Sequence, residues 1–378
     1  MRILVTGASG FIGKNLVVRL KESKDIDVST YDRTSGKSEL SELVKRADWV
    51  VHLAGVNRPD SPDEFYQGNS GFTSALCDAV AATGKTIPII YSSSIQVDRD
   101  GDYGSSKLDA EGTLKALNRE TGCPIYIYRL PNIFGKWAKP NYNSVVATFC
   151  YNIARSLPIK INDPSSVIRL VYIDDLIEDF LSLLRKPRTM ELSYEQVAPE
   201  YKQTVGELAE MIKGFRKSRD NLVVDSVGEG LTRALYSTYV SYLSEDDFIY
   251  PLKKNSDSRG VFVEMLKTET SGQFSYFTAL PGVTRGGHYH HTKTEKFLVI
   301  KGKAKFRFCH LITGDQFEIS TDGGEPQVVE TVPGWTHDVT NIGKTELICM
   351  LWANEIYDPE SPDTHACPLD PFYLEPPV

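Results

Sequence analysis

At 378 residues the chain is about two and a half times the ~150-residue working size of one domain, so a single small module is excluded and two domains are expected. Its formal net charge of −8 disfavours partners that need a broadly basic surface, such as nucleic acid or an anionic membrane. The six cysteines lack a CxxC pair, and no apolar run reaches the ~18 residues needed to cross a bilayer, so a reduced, cytoplasmic protein without a membrane span is expected.

From residue 1 to about 215, short apolar β-rich runs alternate with longer helical patterns, the signature of βαβ units and a parallel sheet. Strands are predicted at 3–6, 27–31, 49–53, 88–92, 124–129 and 167–173, and helices at 68–82, 103–120 and 174–184. A further helix over about 205–215 opens on Thr204 and Glu207, spaced so that hydroxyl and carboxylate cap each other's exposed backbone N–H groups. Beyond residue 250, alternating runs at 261–266, 296–302, 304–308 and 346–352 are separated by Gly, Pro, Asp and Asn turns, which predicts an all-β domain. The charged stretch 244–260 carries the boundary, giving domains over 1–245 and 246–378.

Gly7, Gly10, Phe11, Ile12 and Gly13 lie in a GxxGxxG turn between the first strand and a helical pattern. Such glycines let the backbone turn sharply and approach a pyrophosphate at a helix N-terminus. Asp32 and Arg33 end the second strand, where an acid bonds the adenosine ribose and an arginine pairs with a 2′-phosphate. With both present, the reading leans to NADPH over NADH. Asp48 is placed to bond the adenine ring or, alternatively, to cap its strand, and the Ala54-Gly55 turn lets backbone pass close to the cofactor.

Ser94 closes the serine run 92–94 at a strand end, and Tyr103 and Lys107 follow four apart on one helix face. The ammonium is expected to lower the phenol's pKa from about 10 and to hold the nicotinamide ribose, so that Tyr103 gives a proton to a carbonyl oxygen as hydride reaches its carbon. Together with HLAG at 52–55, RLPNIFG at 129–135 and VYIDDL at 171–176, these residues resemble the extended short-chain dehydrogenase/reductase family that acts on nucleotide sugars, over about 1–245. The resemblance implies a Rossmann-type α/β fold, a Ser94 that assists Tyr103, and an Asn132 that touches the substrate's diphosphate region. Two positions depart from the family. Dehydratases carry an Asp-Glu pair after the catalytic hydroxyl residue, whereas Ile95 and Gln96 stand here, so dehydration is not expected. The family's nucleotide-binding arginine is matched only by Arg169, displaced by one, and one step along a strand reverses the face.

In the second half, Gly282, His288, His290, Glu295 and Gly302 match the first motif of the cupin barrels at every spaced position, and Gly334, His337 and Asn341 match the end of the second. Three imidazoles and a carboxylate suit Zn²⁺, Fe²⁺, Ni²⁺ or Mn²⁺, and zinc is the expected ion at His288, His290, Glu295 and His337. The segment Asp257 to Phe262 with Arg285 to Tyr289 also resembles deoxysugar epimerases of the same superfamily, in which the His matching His288 is a base and no metal binds. The joint presence of His290, Glu295 and His337 favours the metal. His291, Tyr289, Lys296 and Asp338 remain acid/base candidates, and Arg285 a substrate contact.

Over its whole length, including 52–59, 91–96, 135–155, 235–243 and 288–299, the chain resembles bifunctional nucleotide-sugar enzymes of capsular polysaccharide synthesis. That resemblance implies C3 epimerisation of a UDP-4-keto-6-deoxy-HexNAc, then NADPH-dependent C4 reduction, giving UDP-2-acetamido-2,6-dideoxy-L-talose on the route to UDP-N-acetyl-L-fucosamine. A homodimer is expected. The alternatives are a single-activity epimerase or reductase whose β-domain serves assembly, and a non-catalytic NADPH sensor, which would commonly lack the Tyr/Lys pair.

Overall fold

The structure, a computed structural model, describes residues 1–59, 61–186, 191–253, 255–257, 260–262, 265–266, 268, 272–355 and 360–369. Part of the 257–262 motif and the tail from residue 370 therefore lie outside the described residues. The chain gathers into two compact units, Met1–Ile133 with Arg169–Tyr201, and Phe134–Ile168 with the chain from Lys202 onward.

In chain order the first strands are β1 (Arg2–Thr6), β2 (Asp27–Tyr31), β3 (Trp49–His52), β4 (Ile89–Ser94), β5 (Ile125–Leu130), β6 (Asn132–Phe134), β7 (Val167–Tyr172), β8 (Leu192–Glu195) and β9 (Tyr201–Thr204). A six-stranded sheet in the first unit has the order β2-β1-β3-β4-β5-β8, and its neighbours run parallel throughout. Its central strands are nearly continuous runs of buried apolar residues, such as Ile3, Leu4, Val5, Val50, Val51, Ile89 and Ile90. That is the pattern of a parallel sheet covered on both faces. The sheet's sixth member is β8, which pairs with β5 from Ile125 opposite Leu192. The 167–173 run is a strand, yet it stands outside this sheet. The sequence LSYE of β8 is too short and too polar to have announced itself.

The helix expected over 68–82 begins with a π-helical turn, Gln67–Gly71, before continuing as Phe72–Ala81. A π-turn of this kind re-aims side chains. Here Asn69 is buried, accepts from Val56 N–H at 2.8 Å and donates to Ser106 Oγ at 2.9 Å. The helix that carries Tyr103 and Lys107 spans Asp102–Thr121 and stops at Gly122, which adopts φ +71°.

In the second unit the helices Val145–Ala154, Val205–Asn221 and Gly230–Val240 pack on one another. The Thr204–Glu207 capping box is formed in both directions. Among the described residues twelve further strands follow: β10 (Ile249–Pro251), β11 (Asn255–Asp257), β12 (Gly260–Phe262), β13 (Gln273–Ala279), β14 (Thr284–Tyr289), β15 (Glu295–Lys301), β16 (Lys303–His310), β17 (Gln316–Asp322), β18 (Gln327–Glu330), β19 (Trp335–Asn341), β20 (Leu347–Ala353) and β21 (His365–Ala366). Two five-stranded antiparallel sheets form, β10-β18-β15-β20-β13 and β17-β16-β19-β14-β21. Phe297, Phe306, Phe308, Val339 and Trp352 are buried within this β-domain.

Candidate functional site

The glycine-rich turn sits at the carboxyl end of β1. Gly7 needs its positive φ of 71°, and a Cβ there would lie 2.6 Å from Ala54 N. At Gly13 a Cβ would come within 2.2 Å of the Gly7 carbonyl, so the helix starts flush on the turn. Asp32 accepts from Ser9 N–H at 3.2 Å and Ser9 Oγ at 2.9 Å, which turns its carboxylate into this cradle, while Arg33 is exposed. The turn, with Phe11 and Ile12 opening the helix, presents backbone to a pyrophosphate as a dinucleotide requires. Asp48 stands elsewhere. It precedes β3, bonds Arg2 N–H at 2.8 Å and pairs with the Arg2 guanidinium at 3.1 Å. In a parallel sheet that is the amino end, opposite the glycine turn, so the strand-capping reading replaces the adenine contact.

Ser94, Tyr103 and Lys107 come together at the carboxyl end of β4. Burial holds the Tyr103 phenol's pKa above its ordinary value, against the opposing influence of the nearby Ser94 hydroxyl. Lys107 is buried and donates through Nζ to the Ser92 carbonyl at 2.9 Å. Burial pushes its pKa down to about 8, against the opposing pull of Glu111. The expected lowering of the phenol by the ammonium is thus replaced by an anchored ammonium and a phenol kept protonated, which suits a proton donor. Gly55 is explained here too, since a Cβ would fall 3.1 Å from Lys107 Nζ and 2.8 Å from Asn69 Oδ1. His52 of the HLAG segment is structural: its ring bridges Thr6 Oγ1 at 2.8 Å and Thr73 Oγ1 at 2.9 Å, and burial drops its pKa to about 3.

One feature that sequence reading missed is Glu111, four residues beyond Lys107 on the same helix. It is fully buried and accepts from Ser93 Oγ at 2.6 Å, Tyr194 OH at 2.8 Å and the Arg129 guanidinium at 2.8 and 3.0 Å. Burial alone would raise its pKa, but these partners together hold it below the usual range. The i+4 spacing was the available signal. Beside this network lies a cavity of about 630 Å³, lined by Ile95, Arg129, Pro131, Arg169, Tyr194 and Glu200 among others. Its volume is that of a small-molecule site. Asn132 is exposed and donates to the Arg169 carbonyl at 3.1 Å. The Arg169 side chain forms a two-bond pair with Glu200 at 2.6 and 2.7 Å.

In the second unit His288, His290, Glu295 and His337 converge, with one ligand atom from each lying within 4.8 Å of every other. Strand register produces this: His288 on β14 stands directly opposite His337 on β19, His290 follows β14, and Glu295 opens β15 in the other sheet. Glu295 Oε2 is 3.1 Å from His290 Nε2 and 3.4 Å from His337 Nε2. Burial would raise the Glu295 pKa, yet the two imidazoles hold it well below the carboxylate range. Burial and the neighbouring His337 and His290 rings push His288 down to about 3, and burial also lowers His337.

The donor set fits a divalent metal ion. His290 Nδ1 lies 2.5 Å from the Asp363 carbonyl, and a carbonyl only accepts, so that nitrogen carries the proton. That leaves Nε2 facing the Glu295 carboxylate at 3.1 Å, the pair of atoms between which a cation would be held. Among the described residues neither ring nitrogen of buried His337 has a hydrogen-bond partner. Three imidazoles and one carboxylate are the ligand types of zinc and its first-row neighbours.

The other β-domain candidates fall elsewhere. Alternation along a strand turns Tyr289 and Asp338 away from the faces that carry His288 and His337. Tyr289 stacks on His365, with ring centroids 5.2 Å apart, and Asp338 pairs with Arg307 at 3.0 Å. Lys296, next to Glu295, is ion-paired with buried Glu330, which Arg219 also bonds. His291 packs against Tyr289 and His365. Arg285 is exposed and donates to the Thr278 carbonyl at 3.3 Å. By contrast Lys293 is buried with its ammonium 3.4 Å from Glu295 Oε1.

Two family models match separate stretches of the chain. Residues 3–195 match the model of the NAD dependent epimerase/dehydratase family, and residues 255–365 that of the polysaccharide biosynthesis C-terminal domain. A Pseudomonas aeruginosa protein named UDP-2-acetamido-2,6-beta-L-arabino-hexul-4-ose reductase is 56% identical over 97% of this chain and 98% of its own. The crystal structure of the capsular polysaccharide assembling protein CapF from Staphylococcus aureus is 41% identical, with a TM-score of 0.67, over 97% of this chain and 100% of that one. A UDP-glucuronic acid 4-epimerase from Bacillus cereus in complex with NAD, 20% identical over 57% of this chain and 83% of its own at a TM-score of 0.50, shares the fold. The sheet, the glycine turn, the Ser94–Tyr103–Lys107 group and these matches make the chain a member of the NAD dependent epimerase/dehydratase family.

Proposed function

We propose that the chain is a bifunctional nucleotide-sugar enzyme: its β-domain, a metal-binding cupin barrel, epimerises C3 of a UDP-4-keto-6-deoxy-HexNAc, and its first unit then reduces the C4 ketone with NADPH. The product would be UDP-2-acetamido-2,6-dideoxy-L-talose, in the cytoplasm, from a homodimer. The observation that carries this reading is the 56% identity to a named UDP-hexulose reductase along 97% of the chain, a match long enough to include both units.

The chemistry divides naturally. A hydrogen at C3 is acidified by the C4 ketone, so removing that proton and returning it on the opposite face inverts the centre through an enolate. His288, His290, Glu295 and His337 would hold the metal, which supplies Lewis acidity to a carbonyl oxygen. In the first unit, NADPH supplies the hydride. Gly7, Gly10, Gly13 and Asp32 receive it, Lys107 orients its ribose, Ser94 orients the ketone oxygen, and Tyr103 gives that oxygen its phenolic proton. Arg33 stands exposed beside Asp32, available to a 2′-phosphate, which supports NADPH over NADH.

The test is incubation of the full chain with UDP-4-keto-6-deoxy-HexNAc and NADPH in deuterated water, with the product read by NMR. Deuterium at C3, inverted C3 and a new C4 hydroxyl are expected. A C4 alcohol with C3 unlabelled and uninverted would reduce the reading to a single-activity reductase.

A further inference from the structure

We propose that residues 360–367 form a strap that positions the metal ligands, with Asp363 as its central positioning residue; this rests on reading the four-residue cluster as a metal site. The strap enters the sheet as β21, with His365 opposite Tyr289 and Ala366 opposite His288. Asp363 acts through both of its polar groups. Its carbonyl accepts a hydrogen bond from His290 Nδ1–H at 2.5 Å, which leaves Nε2 as the ligand atom and fixes the ring plane. Its carboxylate accepts backbone N–H bonds from His291 at 2.8 Å, Thr292 at 2.7 Å and Lys293 at 2.8 Å, and one from Thr292 Oγ1 at 3.0 Å. The carboxylate thereby ties down the turn between His290 and Glu295, and the same bonds hold Asp363's own carbonyl where the imidazole needs it.

The neighbouring ligands are reached as well. Lys293 Nζ donates to Thr364 Oγ1 at 3.1 Å and stands 3.4 Å from Glu295 Oε1, so the strap fixes the carboxylate oxygen opposite the one that faces the imidazoles. Beside His337, Thr336 Oγ1 donates to the Cys367 carbonyl at 2.5 Å, and Cys367 N–H bonds the Gly287 carbonyl at 2.7 Å. Partners of this kind set ligand orientation and basicity in metal sites.

The experiment titrates Zn²⁺ alone into the metal-stripped full chain against a chromophoric chelator. It compares the unmodified protein with Asp363→Asn and Thr364→Val, and reads the visible bands of the Co²⁺ forms well below the melting temperature. Asp363→Asn puts an amide N–H against a backbone N–H donor and should weaken Zn²⁺ binding by about 10- to 100-fold, with altered Co²⁺ bands. Thr364→Val keeps its shape, loses only the lysine's acceptor, and should weaken binding less; it decides the matter if the first variant does not fold. Unchanged affinity and bands in the folded variants, beside an unmodified protein that binds Zn²⁺, would overturn the strap while leaving the metal site standing. An unmodified protein that binds neither ion overturns the metal reading itself.

Discussion

In the proposed reductive step, Tyr103 and Lys107 would divide the work between a phenol kept protonated and an ammonium that burial makes easier to deprotonate. Burial keeps the Tyr103 phenol above its ordinary pKa, whereas the same burial lowers Lys107 to about 8. Lys107 therefore holds its charge below that pH and loses it above. NADPH oxidation measured against pH should fall as pH rises through about 8, and a flat profile up to pH 10 would remove Lys107 from the ribose-holding role. Glu111 belongs to the same scale. Replacing it by Gln leaves the part-exposed Arg129 guanidinium with Asp98 as its one remaining carboxylate partner in this network and removes an acceptor of the buried Ser93 hydroxyl and of the Tyr194 hydroxyl, at a cost of roughly 1–3 kcal/mol, readable as a shift in the urea midpoint; no shift would show that the network relaxes around the change. The ligand-type residues were legible because their spacing is itself the signal, with His288 and His290 on one strand face. Asp363 was not, because its partners at 290–293 are some seventy residues away in sequence, and Glu111 was not, because an acid on a helix reads as solvated surface until its burial is known.

Elements convert local rules into site geometry, and the sheet shows where those rules stop. Five of the six strands of the parallel sheet follow from apolar runs, but β8 carries only four residues of mixed polarity and takes its place by pairing with β5. Competition for the edge of a sheet is a tertiary matter, invisible to a window of sequence. The π-turn at Gln67–Gly71 is similar: helical periodicity predicts a helix there, while the register change that turns Asn69 inward depends on Val56 and Ser106. Glycine-turn packing is firmer. Gly13→Ala places a Cβ 2.2 Å from a backbone oxygen, so it should destabilise the first unit by about 1–3 kcal/mol and weaken NADPH binding, as urea unfolding and a fluorescence titration would report; a neutral result in both would show that the helix can shift. At the capping box, Thr204→Ala should cost about 1 kcal/mol, measured by denaturant unfolding, and a loss below ~0.3 kcal/mol would mean the cap is replaced by water.

At the scale of the whole molecule, length and composition asked for two domains without naming the second. The two motif sets supply the proposed reason: a glycine turn with Tyr103 and Lys107 in one unit, and the His288, His290, Glu295 and His337 group in the other. The net negative charge does not stand against the proposed nucleotide-sugar substrate, because backbone N–H groups and a few basic side chains would suffice locally. Among the described residues no helix is long and apolar enough to cross a membrane, which agrees with the sequence reading on that point alone. Chelation of the metal should abolish proton exchange at C3 yet leave hydride transfer to a supplied C3-epimerised ketone intact, by NADPH absorbance. The central claim is that two chemically independent stations share one chain, and Tyr103→Phe tests it most directly. With substrate and NADPH in deuterated water, the account predicts NADPH oxidation lowered by at least about 10²-fold while deuterium still enters C3 at the unmodified rate. Loss of both signals together would contradict it.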